Sequence, residues 1–122
     1  MVSSHRDKGD YGECLALEFL SDNGLILVSR NYRCRLGEVD IIMQDKSELV
    51  FVEVKYRESK QICPAVDLVG PMKQRRLIRA AKHFITQHPM YQECIARFDV
   101  VGISRHNRST EVEWIQDAFE TV

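Results

Sequence analysis

Hydrophobic positions along the chain fall into two helical and five extended stretches. In "GDYGECLALEFLSDNG" the row Glu13, Ala16, Leu17, Leu20 keeps the i, i+3, i+4, i+7 spacing of one helical face. Asp10 is the expected N-cap, and Gly24 stands where a C-terminal glycine belongs. Three runs rich in β-branched and aromatic residues follow, "LILVSRNYR", "EVDIIMQ" and "ELVFVEVKYR". Their connections, at Leu36-Gly37 and at Asp45-Lys46-Ser47, are short enough for antiparallel hairpins.

After the irregular piece "ESKQICPAVDLVG", Pro71 opens a second helix, "PMKQRRLIRAAKHFITQH", with Pro89 just past its end. Leu77, Ile78, Ala81, Phe84 and Ile85 form its apolar stripe. The strands "RFDVVGIS" and "VEWIQ" flank the polar loop "RHNRST". The order αβββαββ predicts an α/β fold of the α+β kind, with helices packed on a central mixed sheet.

The face pattern of "VFVEVKYR" brings in the chemistry. Residues two apart on a strand share a face, so Val50, Val52, Val54 and Tyr56 make one wholly apolar side. The other side runs Leu49, Phe51, Glu53, Lys55 and turns from apolar to charged. Burying an unpaired charge costs several kcal/mol. This half of the strand is therefore expected to open onto a cleft or to find partners. A loop of two residues (Lys46-Ser47) or of four puts Asp40 directly opposite Glu53, about 5 Å away, whereas three residues would strand Asp40 in the core.

Two facing carboxylates repel, and a divalent cation relieves them better than Lys55 alone. Oxygen ligands suit Mg²⁺ or Mn²⁺, and such a site serves phosphodiester hydrolysis, with a nearby lysine orienting the nucleophile or stabilising developing charge. Glu13, carried to the sheet by its helix, is a candidate third acid, and Glu18 is expected in solvent. The alternative for E-x-K is a structural salt bridge of Asp40 or Glu53 with Lys55. Glu38 is either a further ligand or a surface charge, Asp99 is read as a structural hydrogen-bonding group, and Trp114 and Tyr11 are read as core.

Charge and composition narrow the setting. The 122 residues carry a formal net charge of −1, 29% charged and 44% hydrophobic residues, an ordinary balance for one soluble domain over residues 1–122 with an ordered core from about 8 to about 119. No run suits a membrane span or a signal peptide, so no membrane partner and a cytoplasmic location are expected. Cys14, Cys34, Cys63 and Cys94 have neither C-x-x-C nor zinc-finger spacing and are read as reduced.

No acidic residue occurs between Asp67 and Glu93, where Lys73, Arg75, Arg76, Arg79 and Lys82 lie. Arg76, Arg79 and His83 are expected to face solvent and a phosphate backbone, while Lys73 flanks the apolar stripe and can reach a cleft. Arg30, Arg33 and Arg35 beside Tyr32 add a second basic stretch, and Arg105, His106 and Arg108 a basic loop. A solvated face is the alternative reading of the basic helix.

"GDYGE", "RNYRCRLGEVDII", "FVEVKYR", "KQRRLIRAA" and "RFDVVGI", in that order, resemble the YraN family of small bacterial proteins. That family is similar to archaeal Holliday-junction resolvases within the PD-(D/E)XK nuclease superfamily. The resemblance implies a restriction-endonuclease-like αβββαβ core and a metal-dependent endonuclease acting on DNA, including branched or damaged DNA. By motif position it makes Asp40 and Glu53 metal ligands with the Val54 carbonyl, Lys55 the catalytic lysine, Glu13 a supporting acid, and Lys73 a basic residue near the site. Where the family shows a glycine-containing turn after the E-x-K strand, this chain has Ile62-Cys63-Pro64.

The alternative function is a nucleic-acid-binding module that keeps the fold without turnover. A domain of this length is about 35 Å across, near one duplex turn, so cutting two strands favours a homodimer.

Overall fold

The computed structural model of the chain describes residues 5–58 and 65–120. Its elements run α1 (His5–Asp22), β1 (Ile26–Cys34), β2 (Gly37–Asp45), β3 (Glu48–Arg57), α2 (Pro71–Gln87), β4 (Ile95–His106) and β5 (Ser109–Phe119), with 3-10 turns at Ala65–Leu68 and Pro89–Tyr91. The five strands form one mixed sheet in the order β1-β2-β3-β4-β5; β3 and β4 are parallel and the other neighbours antiparallel. This is the α+β arrangement that the element order predicts, and it is consistent with the restriction-endonuclease-like core that the resemblance implies. The segment at residues 62–64, including Cys63, lies outside the described residues. No described helix is long and apolar enough to cross a membrane.

The two faces of β3 sort the core into halves. Val50 and Val52 lie with Ala16 and Leu20 of α1, Ile41, Met43, Val101 and Ile103 on one side, with Val54 and Tyr56 packed against them. Leu49 and Phe51 lie with Leu77, Ala80, Ala81 and Phe84 of α2, Val39, Phe98 and Val100 on the other. Period-two alternation on a strand covered on both sides requires this division.

Several local expectations are corrected. Helix α1 begins at His5, so Asp10 lies inside it and is not its cap. Helix formers such as Arg6 and Lys8 carry it back past Gly9, whose cost of about 1 kcal/mol against alanine does not stop a helix packed on a sheet. At the other end Gly24 (φ +93°) closes a Schellman cap, its N–H donating to Ser21 O at 3.0 Å while Leu25 N–H donates to Leu20 O at 3.1 Å.

The polar stretch "RHNRST" is mostly strand. The β4–β5 ladder runs through His106↔Ser109, with Asn107 and Arg108, both at positive φ, as the turn. In the first hairpin Cys34 pairs with Gly37, so Arg35 and Leu36 make the turn.

Polar residues also seal the sheet away from the charged half of β3. Asp99, 0% exposed, accepts from Arg97 Nε at 3.0 Å, Arg97 Nη2 at 3.1 Å, Trp114 Nε1 at 2.9 Å and Asp117 N–H at 3.0 Å. Arg97 also reaches Asp45 at 3.0 Å and Glu48 at 3.4 Å, clamping the β2–β3 hairpin to β4. Asp99 is therefore structural. Trp114 packs edge-on against Phe19 at the margin of the core, whereas Tyr11 is 38% exposed, contrary to the core expected for it, with Arg105 over its ring.

Candidate active site

Register decides whether Asp40 and Glu53 meet. The β2–β3 ladder pairs Asp45↔Glu48 through Ile41↔Val52 across the two-residue turn Lys46-Ser47, which is the register expected. The ladder stops there, one step short of Asp40 and Glu53, so the two do not form the facing pair expected of them. Instead β2 changes face at Asp40. Val39 belongs to the α2 side and Ile41 to the α1 side, although strict alternation would keep them together.

The distortion has a counterpart on β1. Between the pairs Arg30↔Ile41 and Tyr32↔Val39 lies Asn31 at φ +55°, a conformation asparagine tolerates better than most residues. Freed from the ladder, Asp40 turns its carboxylate to β3, where Oδ2 accepts the Val54 backbone N–H at 2.8 Å. A strand residue's N–H and C=O leave by the same edge. The Val54 carbonyl is therefore directed to the gap that β2 vacates.

Glu53 is 3% exposed. Burial first, then a hydrogen bond with Asp40 and the charge of Asp40, push its pKa up to about 9, against the opposing pull of Lys73 and Lys55. Lys73 Nζ of α2 lies 3.3 Å from Glu53 Oε2. That oxygen is nevertheless buried without a properly directed hydrogen bond. The contact is thus an ion pair by distance only, and the carboxyl keeps an unsatisfied acceptor. Lys55, two residues on, shares the face of Glu53 and is half-buried.

Glu13 comes to the same place from α1. A β-carbon on Gly12 would lie 3.1 Å from Tyr56 Cβ, so a residue without one lets α1 lie close over β3 at this point. Glu13 is 14% exposed, 3.9 Å from Arg30 Nε, and its Oε1 is buried without a hydrogen-bond partner. Burial and the neighbouring Asp40 push its pKa up to about 7, partly countered by Arg30. Glu18 is exposed, as expected.

Among the described residues no three His, Cys, Asp or Glu side chains converge closely enough to cage a metal. Mg²⁺ asks for less: one or two carboxylates, with waters and substrate phosphates completing its shell. Asp40 with one oxygen uncommitted to Val54, Glu53 with an unsatisfied buried oxygen, and the Val54 carbonyl fit that donor set. Glu38 is drawn off to Arg33, 3.3 Å away, on the surface.

Of the basic candidates, Arg33, Arg35, Lys73 and Arg76 line one open cleft of about 470 Å³ between the β1–β2 turn and α2, together with Gly37 and Glu38. Arg75 and Arg79 are exposed on α2 and do not line it. His83, expected in solvent, is half-buried and hydrogen-bonded to Tyr32 Oη, so Tyr32 is tied to α2. Two participants escape sequence reasoning. In the sequence Arg30 reads only as part of a basic stretch, and nothing singles out Asn31 within its strand.

The sequence has close relatives. A model described as the uncharacterised protein family UPF0102 matches residues 12–103. A UPF0102 protein of Nitrosococcus oceani is 46% identical over 117 residues, covering 96% of this chain and 94% of that protein. One from Nitrosomonas europaea is 44% identical over 119 residues and one from Stutzerimonas stutzeri 41% over 120, with 98% of this chain covered in each and 98% and 100% of those proteins.

Proposed function

The chain belongs to the uncharacterised protein family UPF0102, and from that premise we propose that it is a Mg²⁺- or Mn²⁺-dependent endonuclease hydrolysing DNA phosphodiester bonds, at branched or damaged sites. The observation that carries this reading is Glu53: a buried carboxyl, with an unsatisfied oxygen, beside a second carboxylate and between two lysines. A purely structural acid at that depth would be expected to have its oxygens satisfied, as those of Asp99 are.

Asp40 and Glu53 would hold the cation with the Val54 carbonyl. When bound, it would polarise the phosphate and lower the pKa of a coordinated water. Lys55 reaches from the face of Glu53 to orient the attacking oxygen or to meet the charge that develops on the phosphate. Glu13 supports the site from α1, where its unpartnered Oε1 can hold a water. The basic cleft lined by Lys73 and Arg76 receives the neighbouring backbone. Cutting both strands with a domain this small calls for a homodimer.

The test is to incubate the protein with labelled linear, nicked, flapped and four-way DNA in Mg²⁺, Mn²⁺ or EDTA. Metal-dependent cutting that Glu53→Ala abolishes while binding remains supports the enzyme. Salt-sensitive binding without cutting of any substrate would make the chain a binding module instead.

A further inference from the structure

Lys73 belongs to two neighbourhoods at once. Its Nζ is 3.3 Å from Glu53 Oε2, and its side chain, 35% exposed, also lines the cleft between the β1–β2 turn and α2. Arg33, Arg35 and Arg76 complete the positive lining. Glu38 opposes them and is already approached by Arg33 at 3.3 Å. The cleft therefore carries an excess of positive charge. Its walls are fixed by backbone contact, since a β-carbon on Gly37 would lie 2.7 Å from the Arg76 carbonyl oxygen.

The hold of Lys73 on Glu53 is incomplete. The two are within ion-pair distance, yet Glu53 Oε2 accepts no directed hydrogen bond. Removing Lys73 with nothing in its place would leave a buried carboxylate uncompensated, which is costly. A divalent cation at Asp40 and Glu53 supplies that compensation. The ammonium can then turn to the cleft.

We propose that Lys73 exchanges between Glu53 and a backbone phosphate seated in the Arg35–Arg76 cleft, so that cation binding and phosphate binding reinforce one another. The inference rests on the metal-binding reading of Asp40 and Glu53. Its ligand is the phosphodiester backbone beside the scissile bond, recognised by charge and indifferent to base sequence. Linkage requires reciprocity: the phosphate strengthens cation binding by the same factor as the cation strengthens phosphate binding.

The experiment combines Mn²⁺ titration calorimetry with fluorescence anisotropy of a labelled five-nucleotide DNA strand, each ligand alone and with the other at saturation. Strand integrity is checked on a gel afterwards. In the wild type each ligand should tighten the other by about five-fold or more, and by equal factors. Lys73→Gln should bring both factors to about one and strengthen Mn²⁺ binding on its own, because a competing cation is gone. Lys82→Gln, exposed on the same helix, should leave the coupling unchanged.

Coupling that survives Lys73→Gln would overturn the exchange, since direct contact of cation and phosphate would then carry it. Mn²⁺ binding in the wild type with no response to the strand would overturn it too. If Mn²⁺ gives no heat that Asp40→Ala removes, the metal reading fails and the exchange with it, an outcome distinct from binding without coupling.

Discussion

Asp40 Oδ2 accepts the Val54 backbone N–H at 2.8 Å, which fixes the β2 carboxylate to the residue between Glu53 and Lys55. One group thus holds two strands together past the end of their ladder and stands ready as a ligand. The two roles separate by substitution. Asp40→Ala loses both, and should cost about 1–3 kcal/mol in urea unfolding because the Val54 N–H is left without its acceptor. Asp40→Asn keeps an accepting oxygen. It should unfold within about 1 kcal/mol of the wild type while weakening Mn²⁺ binding in calorimetry nearly as much as alanine does.

Glu53 and Glu13 give the stability a sign against pH. Both have folded pKa values above the ordinary 4.5, at about 9 for Glu53 and about 7 for Glu13. The folded state then holds protons more tightly than the unfolded one. Their stabilising contribution is complete below pH 4.5 and is lost as pH rises through about 7 and about 9. In EDTA, Glu53→Gln should raise stability at pH 8 by on the order of 2 kcal/mol and flatten the decline between pH 5 and pH 9, read from urea midpoints. A steeper decline in the variant would contradict the burial assigned to this carboxyl.

Gly37 couples the hairpin to the basic helix. A methyl group there meets the Arg76 carbonyl oxygen at 2.7 Å, a contact that flexible side chains cannot relieve. Gly37→Ala should lower stability by about 1–3 kcal/mol in thermal unfolding and loosen α2 against β1 and β2. Binding of a short DNA strand should weaken with it, because Arg35 and Arg76 lie on opposite walls of the cleft.

The Arg97–Asp99 cluster serves as a control for structure without chemistry. Asp99→Ala leaves a buried guanidinium short of its partner and should destabilise the fold by about 3–5 kcal/mol. Below its lowered unfolding temperature, the variant should bind Mn²⁺ as the wild type does. Loss of Mn²⁺ binding at a temperature where circular dichroism shows it folded would place Asp99 in the site after all.

What the sequence makes legible is local. Gly24 and Pro71 mark helix ends by their own backbone preferences, and the alternation of β3 sorts its side chains before any partner is known. The charged pair Glu53 and Lys55 is conspicuous for the same reason. Less legible is whatever depends on two strands distorting together. The turn of Asp40 toward Val54 accompanies Asn31 at positive φ on the neighbouring strand, and its trace in the sequence is an asparagine in "SRNYR". The Arg97 contacts to Asp45 and Glu48 and the link from Tyr32 to His83 join residues with no common local pattern. Sequence spacing cannot announce them. The cleft beside Lys73 exists because the β1–β2 turn and α2 meet, although its arginines were visible as candidates.

Anomalous diffraction from crystals grown with Mn²⁺ shows directly whether Asp40 and Glu53 hold a cation. One strong peak is expected about 2.0–2.2 Å from carboxylate oxygens of Asp40 and Glu53, with the Val54 carbonyl in the shell and Lys73 Nζ moved away from Glu53. A well-ordered site with no anomalous peak at saturating Mn²⁺, and Lys73 still against Glu53, would contradict the metal-binding reading.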